Sequence, residues 1–313
     1  MLELSNYWDD FQIRVNETIE CLSRKEFPKL ERLTVHLTEN CNFRCKYCNM
    51  KFSTRTMEEI LVKKIINEYA EMGGSTIHFT GGEPTVVPYI EEIFAYAKSK
   101  GLIVSANTNA YKRINTDNID KLKTSFDTPY ADEFNATIGI SSFEKVVDNM
   151  RIYSKEMKEK MLSITAVLNA KTYRHMLELA KFVNENFVVY NLYYSNYKGS
   201  NPEFAFTDEQ IEDMFQNHIP KVLGFFKQTG NEYSYKQLSL YKRGDFKNVD
   251  CRFEENKHIP CYIQLSEMTI DVDGNCYDCS HLYRDGVVPD EIINIHCKTV
   301  LKKERTAIQM FLI

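Results

Sequence analysis

Residues 41–48 read Cys41-Asn-Phe-Arg-Cys45-Lys-Tyr-Cys48 and place three thiols in one short loop. The apolar segment before them, Leu33 to Leu37, has the composition of a strand. Three thiolates fill only three corners of a [4Fe–4S] cluster, because an all-cysteine set needs four. The fourth iron is then open, and an open coordination site is where a metal centre performs chemistry. The alternatives are a zinc site or three unrelated buried thiols, but zinc usually draws paired cysteines or histidines, and this loop contains no histidine.

A second motif, Thr80-Gly81-Gly82-Glu83-Pro84, follows another apolar segment. Gly-Gly pairs mark many turns, so the motif indicates little by itself. Together with the CxxxCxxC loop, and with the aromatic Tyr47 before its last cysteine, it resembles the radical SAM superfamily. The resemblance implies that Cys41, Cys45 and Cys48 hold a [4Fe–4S] cluster whose open iron binds S-adenosylmethionine.

The same resemblance assigns further residues to S-adenosylmethionine. The segment Gly81, Gly82, Glu83 and Pro84 is expected to hold the methionine amino group, with Glu83 as a carboxylate acceptor and the glycines allowing close backbone approach. Tyr47 is expected to pack near the adenine. Polar residues at the ends of later strands are expected near the nucleotide or its carboxylate: Thr108, Asn109, Ser125 and Asn169. Each of these four is equally compatible with a turn that closes its strand.

Composition restricts the class of protein. The chain has 313 residues, 43% hydrophobic and 27% charged, with a formal charge of −5, which gives no general attraction to nucleic acid or to an anionic membrane. No apolar run is long enough to span a bilayer, and Met1 to Asp10 lack the order of a signal peptide. Nine cysteines without an export signal indicate metal ligation in a reducing cytoplasm.

Apolar spacing predicts alternating strands and helices after a leading helix over residues 7–26. The predicted strands are 32–37, 75–80, 102–107, 122–127, 162–168 and 187–194, and the predicted helices are 57–72, 87–100, 142–158 and 172–186. This order predicts an α/β fold with a parallel sheet. The resemblance makes it a partial (βα)6 barrel, in which chemistry lies at the carboxyl ends of the strands. His36 and His78, on two strands, are expected to be satisfied core residues.

Four segments are predicted along the chain: a leading helix over 1–29, the barrel over 30–200, a helical linker over 201–249 and a cysteine-rich segment over 250–313. In the linker, Thr207 or Asp208 is expected to cap a long helix that runs to about residue 227.

The cysteine-rich segment predicts a β-hairpin, because apolar residues flank the turn Asp271-Val-Asp-Gly-Asn275. Cys261, Gly274 and Cys279 resemble the pattern of the SPASM or shorter twitch appendage. The resemblance implies one auxiliary [4Fe–4S] cluster on Cys251, Cys261 and Cys279, with Cys276, Cys297 or a substrate group as fourth ligand. A zinc-stabilised hairpin is the alternative. Where sulfatase-maturing relatives have a catalytic aspartate this chain has Ser280, so Asp278 and His281 are the candidate bases.

The resulting functional hypothesis is an enzyme that abstracts a hydrogen atom from a substrate. A ribosomal peptide is the first expected substrate, modified by oxidation, cross-linking or epimerisation. A dehydrogenase or isomerase of a small metabolite or modified nucleoside is the alternative, and a non-catalytic iron–sulfur protein is the second alternative. An electron donor such as flavodoxin or ferredoxin is expected as a partner. Residues 1–29 are too few for a leader-binding domain, so a separate leader-binding protein is expected with a peptide substrate.

Overall fold

The computed structural model describes residues 16–246, except 18, 22, 25–28, 51 and 200, and residues 267–277. Its centre is one sheet of eight strands in the order β6-β5-β4-β3-β2-β1-β7-β8. Six strands come from the predicted barrel: β1 Arg32–Thr38, β2 Thr76–Gly81, β3 Ile103–Thr108, β4 Lys121–Ser125, β5 Met161–Leu168 and β6 Asn191–Asn196. All five pairings among these six strands are parallel. The predicted α/β architecture with a parallel sheet is therefore confirmed.

Helices connect most of these strands: α1 Glu59–Glu71, α2 Ile90–Ser99, α3 Ala131–Ile138, α4 Phe143–Glu156 and α5 Met176–Asn186. Their apolar faces cover one face of the sheet, as Phe79 of β2 against Phe94 of α2 illustrates at 5.6 Å between ring centroids. Phe126, directly after β4, packs against rings from α3, α4 and α5. The core therefore lies between the sheet and its helices.

The prediction was wrong in three places along this part of the chain. The sixth strand begins at Asn191 rather than at residue 187, and Val188 in the connection before it is 68% exposed. The helix expected from residue 172 begins at Met176, after a 3₁₀ turn. Helix α3 has no counterpart in the predicted pattern, because it is only 8 residues long and so spans barely two apolar repeats.

A helical region follows the barrel, as expected. Helix α6, Asp208–Asp213, begins at the N-cap Thr207 with a capping box to Gln210, and continues through a π-helical turn, Met214–His218, into α7, Ile219–Thr229. A further helix, α8 Glu232–Ser239, was not predicted. Within the part of the chain that the structure describes, no helix combines the length and apolar character needed to cross a membrane.

The predicted hairpin is confirmed and extends the barrel sheet. Strands β7, Glu267–Ile270, and β8, Cys276–Tyr277, are antiparallel to each other. Strand β7 is parallel to β1, from Arg32 opposite Glu267 to Val35 opposite Ile270. The hairpin therefore covers the edge of the strand that leads into the three-cysteine loop.

Candidate active site

The three-cysteine loop starts three residues after β1, at the carboxyl edge of the sheet. Cys41, Cys45 and Cys48 are half-buried thiols, and none of them forms a disulfide. The N–H of Cys48 donates to the carbonyl of Cys45 at 3.0 Å, so the last four residues of the motif form a turn. The N–H of Phe43 lies 3.4 Å from Cys41 Sγ, as expected for a donor that supports a thiolate.

The end of helix α3 supports this loop from outside. The N–H groups of Arg44 and Lys46 donate to the carbonyls of Ile138 and Thr137, at 2.9 and 3.0 Å. These carbonyls belong to the last turn of the helix, which leaves them without an intrahelical partner. The unpredicted helix α3 therefore fixes the backbone between the first and third cysteines.

The environment of the thiols matches a metal centre better than a reactive nucleophile. Burial raises the pKa of Cys41 to about 11, and the pKa of Cys45 rises further for the same reason. Neither thiol would ionise at neutral pH by itself, whereas a coordinating metal deprotonates a thiol outright. Among the described residues, no three Cys, His, Asp or Glu side chains are grouped to hold a single metal ion.

Tyr47 is fixed by contacts on two sides. Its phenol donates to Asp127 Oδ2, and its ring packs edge-on against Phe204 at 5.9 Å between centroids. Asp127 Oδ1 accepts from the N–H of Val167 at 2.7 Å. Burial raises the pKa of Asp127 to about 6 and raises the pKa of Tyr47 well above its ordinary value. The side chain of Tyr47 thus links the cysteine loop to β4 and β5.

The Gly-Gly-Glu-Pro segment lies directly against the start of the cysteine loop. The N–H of Gly82 donates to the carbonyl of Thr38 at 2.7 Å, and the N–H of Glu83 donates to that of Asn40 at 2.9 Å. A Cβ on Gly81, whose φ is +138°, would lie 2.4 Å from the carbonyl oxygen of Thr38, and one on Gly82 would lie 2.2 Å from that of Asn40. Both glycines are therefore required by close approach to the protein's own backbone.

The carboxylate of Glu83 is 2% exposed and accepts four hydrogen bonds from protein donors. Its Oε1 accepts from the N–H and hydroxyl of Thr85, at 3.1 and 2.7 Å, and from the hydroxyl of Thr108 at 2.8 Å. Its Oε2 accepts from the N–H of Asn109 at 2.7 Å. Each oxygen of an ionised carboxylate offers about two acceptor positions, so Oε1 is saturated, whereas Oε2 keeps one position that is buried within the protein. Burial still raises the pKa of Glu83 above its ordinary value. Pro84 begins the short 3₁₀ turn that follows, with Glu83 as its N-cap.

Asn109 connects the end of β3 to the first cysteine. Its Nδ2 donates to Asn42 Oδ1 at 2.8 Å and lies 3.9 Å from Cys41 Sγ. Its Oδ1 accepts from the N–H of Tyr111 at 3.0 Å, which makes the turn that leaves the strand. Glu83, Asn109 and Cys41 therefore form a continuous contact across β1, β2 and β3.

Two other strand-end residues differ in their surroundings. Ser125 is exposed at the end of β4, where its hydroxyl can reach a ligand. Asn169, after β5, is 1% exposed, and its amide is engaged by the carbonyl of Val167 and the N–H of Lys171. Asn169 therefore closes a turn, which was one of the two alternatives for this position. The histidine expectation is confirmed for His78, which is buried with its Nδ1 2.9 Å from Ser105 Oγ.

The described hairpin contains only part of the predicted auxiliary site. Cys276 lies in β8 and is 6% exposed. The turn before it is held by Asp271, whose carboxylate accepts from the N–H groups of Asp273 and Asn275, and Gly274 adopts a φ of +86°. The remaining predicted residues of this segment lie outside the described residues: Cys251, Cys261, Asp278, Cys279, His281 and Cys297.

Sequence reasoning missed two acidic residues of the site. Asp127 lies two residues after the end of β4, and an acidic residue just after a strand was the signal that could have identified it. Glu39 lies just before the cysteine loop and is 5% exposed. Its carboxylate accepts hydrogen bonds from Ser53 Oγ and from the guanidinium of Arg55. The sequence carries no local signal for Glu39, because its partners come from a separate segment.

Comparisons with known proteins agree with this geometry. The sequence model of the Radical SAM superfamily matches residues 35–183. A GTP 3′,8-cyclase of Psychromonas ingrahamii is 29% identical over 153 residues, which cover 45% of this chain and 45% of the relative. An S-adenosylmethionine-dependent nucleotide dehydratase of Flammeovirga pacifica is 40% identical over 82 residues, covering 24% of this chain and 28% of the relative. These matches therefore span less than half of the relatives' lengths.

Among solved structures, Streptococcus suis SuiB bound to precursor peptide SuiA superposes with a TM-score of 0.65 at 16% identity. The superposition covers 96% of this chain and 70% of SuiB, and at this identity it shows a shared fold. The region that the superfamily model matches contains the three-cysteine loop, the Gly-Gly-Glu-Pro segment, the second half of β1 and all of β2 to β5. The domain formed by residues 35–183 belongs to the Radical SAM superfamily.

Proposed function

We propose that this protein is a radical SAM enzyme in which Cys41, Cys45 and Cys48 hold the cluster and a hydrogen atom is abstracted from a substrate. Membership of the superfamily implies a [4Fe–4S] cluster and S-adenosylmethionine as cofactors. When bound, they supply an electron and a nucleoside fragment that removes the hydrogen atom. The main support for this proposal is that Asn109 contacts both Glu83 and Cys41, which joins the two motifs into one site.

The protein's own residues position these groups. Glu83 is a positioning residue in this proposal, because its side chain is buried and its four protein donors join the ends of β2 and β3. Asp127 fixes Tyr47 between two cysteines. Ser125, exposed at the end of β4, is the strand-end residue most available to the nucleotide. Thr108, by contrast, is 2% exposed and donates to Glu83, so we assign it a supporting role.

The experiment is a turnover assay on the anaerobically reconstituted full chain, with dithionite as reductant. We expect 5′-deoxyadenosine and methionine to form from S-adenosylmethionine, and Cys48→Ala to abolish their formation. Cys21→Ala is the matched control, since Cys21 is a half-buried thiol outside the loop. A wild-type chain that holds a reducible cluster but leaves S-adenosylmethionine intact would instead support the non-catalytic iron–sulfur alternative.

Two substrate classes stand as proposals: a ribosomal peptide, and a small metabolite or nucleoside. Sequence similarity to a GTP 3′,8-cyclase and to a nucleotide dehydratase favours the second class. The auxiliary cluster and the candidate bases Asp278 and His281 remain predictions. Transfer of deuterium from a labelled nucleotide into 5′-deoxyadenosine would support the second class, whereas dependence of turnover on a peptide and its leader-binding partner would support the first.

A further inference from the structure

Helix α4 holds the loop that leaves the third strand. No helix lies between β3 and β4, a stretch that the structure describes completely, so the loop over residues 109–120 has no crossover helix of its own. Residues spaced four apart lie on one face of a helix, and three such residues of α4 contact this loop: Lys145, Asn149 and Tyr153. The phenol of Tyr153 donates to the carbonyl of Lys112 at 3.2 Å and accepts from the N–H of Ile114 at 3.1 Å. One face of α4 therefore fixes the path of the loop.

The loop in turn packs against the cysteine motif. The ring of Tyr111 meets the ring of Phe43, which lies between the first two cysteines, at 5.7 Å between centroids. The ammonium of Lys145 lies 3.7 Å from the centroid of the same Tyr111 ring, a cation–π contact that holds the ring in place. Helix α4 is therefore connected, through Tyr111, to the loop that carries Cys41.

Ala110, in this loop, has a backbone conformation that is unfavourable for alanine. Its φ is +57°, and among the described residues it is the only residue other than glycine with a positive φ. The left-handed conformation brings Cβ close to the following carbonyl oxygen, so an alanine keeps it only where the surrounding structure holds it there. Asn149 supplies such a hold, because its Nδ2 donates to the carbonyls of Ala110 and Tyr111, at 2.8 and 3.1 Å.

The left-handed turn at Ala110 determines where the side chain of Asn109 points. The residues on either side of Ala110 are tied together, because the N–H of Tyr111 donates to Asn109 Oδ1 at 3.0 Å. That bond orients the amide of Asn109 so that its Nδ2 faces the cysteine loop, 3.9 Å from Cys41 Sγ. If Ala110 relaxed to a negative φ, the N–H of Tyr111 would turn away and release the amide of Asn109.

We propose that Asn149 is a positioning residue for the iron–sulfur cluster: by holding Ala110 in its left-handed conformation, it aims the amide of Asn109 at Cys41. The inference rests on the proposed function for the presence of a cluster on Cys41. A hydrogen bond to a ligand sulfur favours the reduced cluster, which carries more negative charge, and so raises the reduction potential. Asn149 therefore acts on the cluster through Asn109, from a separate helix.

The first measurement is the midpoint potential of the cluster signal that Cys48→Ala removes, in the anaerobically reconstituted full chain. Asn149→Leu keeps the approximate size of the side chain and removes its donor, so we expect the potential to become more negative. Asn109→Ala should shift the potential in the same direction. Asn149→Leu should add no further shift in that background, because both variants remove one interaction.

Ala110→Gly provides the rescue. Glycine adopts the left-handed conformation without an external hold, so Ala110→Gly/Asn149→Leu should recover the wild-type potential. If Asn149→Leu by itself folds poorly, this double variant can be compared with Ala110→Gly alone, and the two should have equal potentials. A more negative potential in the double variant would overturn the inference.

The second measurement needs no cluster. Hydrogen exchange of residues 108–112 in the metal-free chain, followed by mass spectrometry, reports on the bonds that the N–H groups of Asn109 and Tyr111 donate. We expect Asn149→Leu to make exchange in this segment about tenfold faster, because a bond that protects it is lost. Ala110→Gly/Asn149→Leu should restore most of the protection.

Asn186→Leu is the matched control for both measurements. Asn186 is half-buried like Asn149, and its Nδ2 likewise donates to a backbone carbonyl, that of Phe182, at 2.9 Å. It is the last residue of α5 and precedes β6, so it lies near the amino edge of the sheet, away from the cysteine loop. Asn186→Leu should leave the potential and the exchange of residues 108–112 unchanged.

The outcomes separate this inference from the proposed function. If Asn149→Leu changes the exchange and the potential no more than Asn186→Leu does, the inference is wrong and the proposed function stands. Faster exchange with an unchanged potential would also overturn it, since Asn149 would then have only a structural role. If both measurements agree with the inference but the wild-type chain leaves S-adenosylmethionine intact, the proposed function is wrong and the positioning by Asn149 stands. A chain without a cluster on the cysteine loop would overturn both.

Discussion

Asp127 accepts a hydrogen bond from the phenol of Tyr47, which directly precedes the third cysteine of the loop. The same carboxylate accepts from the N–H of Val167 on the neighbouring strand at 2.7 Å. One buried side chain therefore fixes the cysteine loop to two strands of the barrel. The residues that align the cluster ligands thus include groups that do not touch the cluster.

The first prediction concerns the energy of this link. Tyr47→Phe leaves Asp127 Oδ2 without its donor, so we expect it to lower the free energy of unfolding by about 1–3 kcal/mol. Asp127→Asn weakens the same bond and that to Val167. Urea denaturation of the metal-free wild type, the two single variants and the double variant gives the free energy of unfolding of each, and from these the coupling energy between Tyr47 and Asp127. Since both single variants disrupt one bond, the double variant should lose clearly less stability than the sum of the two, and additive losses would contradict the link.

The second prediction is a pH dependence that Asp127 contributes. Burial raises its pKa from 3.8 to about 6 in the folded chain. Between these two pH values the folded carboxyl holds a proton that the unfolded carboxyl has released, so stability falls as the pH rises. The raised pKa of Asp127 therefore adds about 3 kcal/mol to the free energy of unfolding below pH 3.8. This contribution is lost as the pH rises through about 6.

The measurement is the difference in unfolding free energy between the metal-free wild type and Asp127→Asn, from pH 3.5 to 7.5. Subtraction removes the contributions of other carboxyls, including Glu83, whose pKa is also raised. We expect wild type to lose stability relative to the variant across this range and to level off near pH 7. A constant difference would show that Asp127 is not desolvated.

The third prediction concerns the close approach of Gly82 to the cysteine loop. In Gly82→Ala the new Cβ would lie 2.2 Å from the carbonyl oxygen of Asn40, and this backbone atom cannot move without shifting the loop. We expect a loss of at least about 2 kcal/mol and poor iron incorporation. Gly224→Ala is the control, because nothing lies within 4 Å of its Cβ and it is in helix α7, so it should stabilise by about 0.5–1 kcal/mol. Equal iron content in the two variants would contradict the claim that the close approach of Gly82 to Asn40 positions the cysteine loop.

The fourth prediction concerns Arg55, which joins the hairpin to the entry of the cysteine loop. Arg55 pairs with Glu39, two residues before Cys41, and with Asp273 in the hairpin turn. Glu39 is 5% exposed, so Arg55→Ala removes the cation from a buried carboxylate and should destabilise by about 1–3 kcal/mol. Hydrogen exchange of the amides of residues 269–277 should become faster at the same time.

Arg113→Ala is the matched control for Arg55→Ala. Arg113 pairs with Glu156 at the surface, where its side chain is 55% exposed. An exposed pair contributes about 0–1 kcal/mol, so this variant should change stability little and leave exchange in the hairpin unaltered. Equal effects of the two variants would show that the hairpin is not held through Arg55.

Local signals in the sequence were sufficient to predict both motifs and the six barrel strands, except for the start of β6. The parallel order of β1 to β6 follows from alternating apolar segments, and the hairpin follows from an Asp-Gly turn between two apolar runs. Capping chemistry also predicted a helix start at Thr207 or Asp208, and helix α6 begins with Thr207 as its N-cap. Each of these features is encoded within a few consecutive residues.

Long-range partners were not predictable from the sequence. Glu83 meets Asn109, 26 residues later, and Tyr47 meets Asp127, 80 residues later. The attachment of β7 to β1 likewise depends on which sheet edge is free. The role expected for Glu83 as a ligand acceptor came from resemblance, whereas two of its four protein donors, the hydroxyl of Thr108 and the N–H of Asn109, reach it only because the fold brings the end of β3 beside it.

The last prediction concerns the auxiliary cluster, most of whose expected ligands lie outside the described residues. In the triple variant Cys41→Ala/Cys45→Ala/Cys48→Ala, any iron that remains after anaerobic reconstitution must be held elsewhere. If the C-terminal cysteines hold a second [4Fe–4S] cluster, about four irons and a reducible low-temperature EPR signal should remain. Cys276 is buried in β8, so adding Cys276→Ala tests whether this thiol is a ligand or only part of the sheet. Loss of the remaining iron would identify it as a ligand, and unchanged iron would assign it to packing. A triple variant with zinc or no metal would rule out the auxiliary cluster and favour redox-neutral chemistry, because no second centre could accept an electron from the substrate.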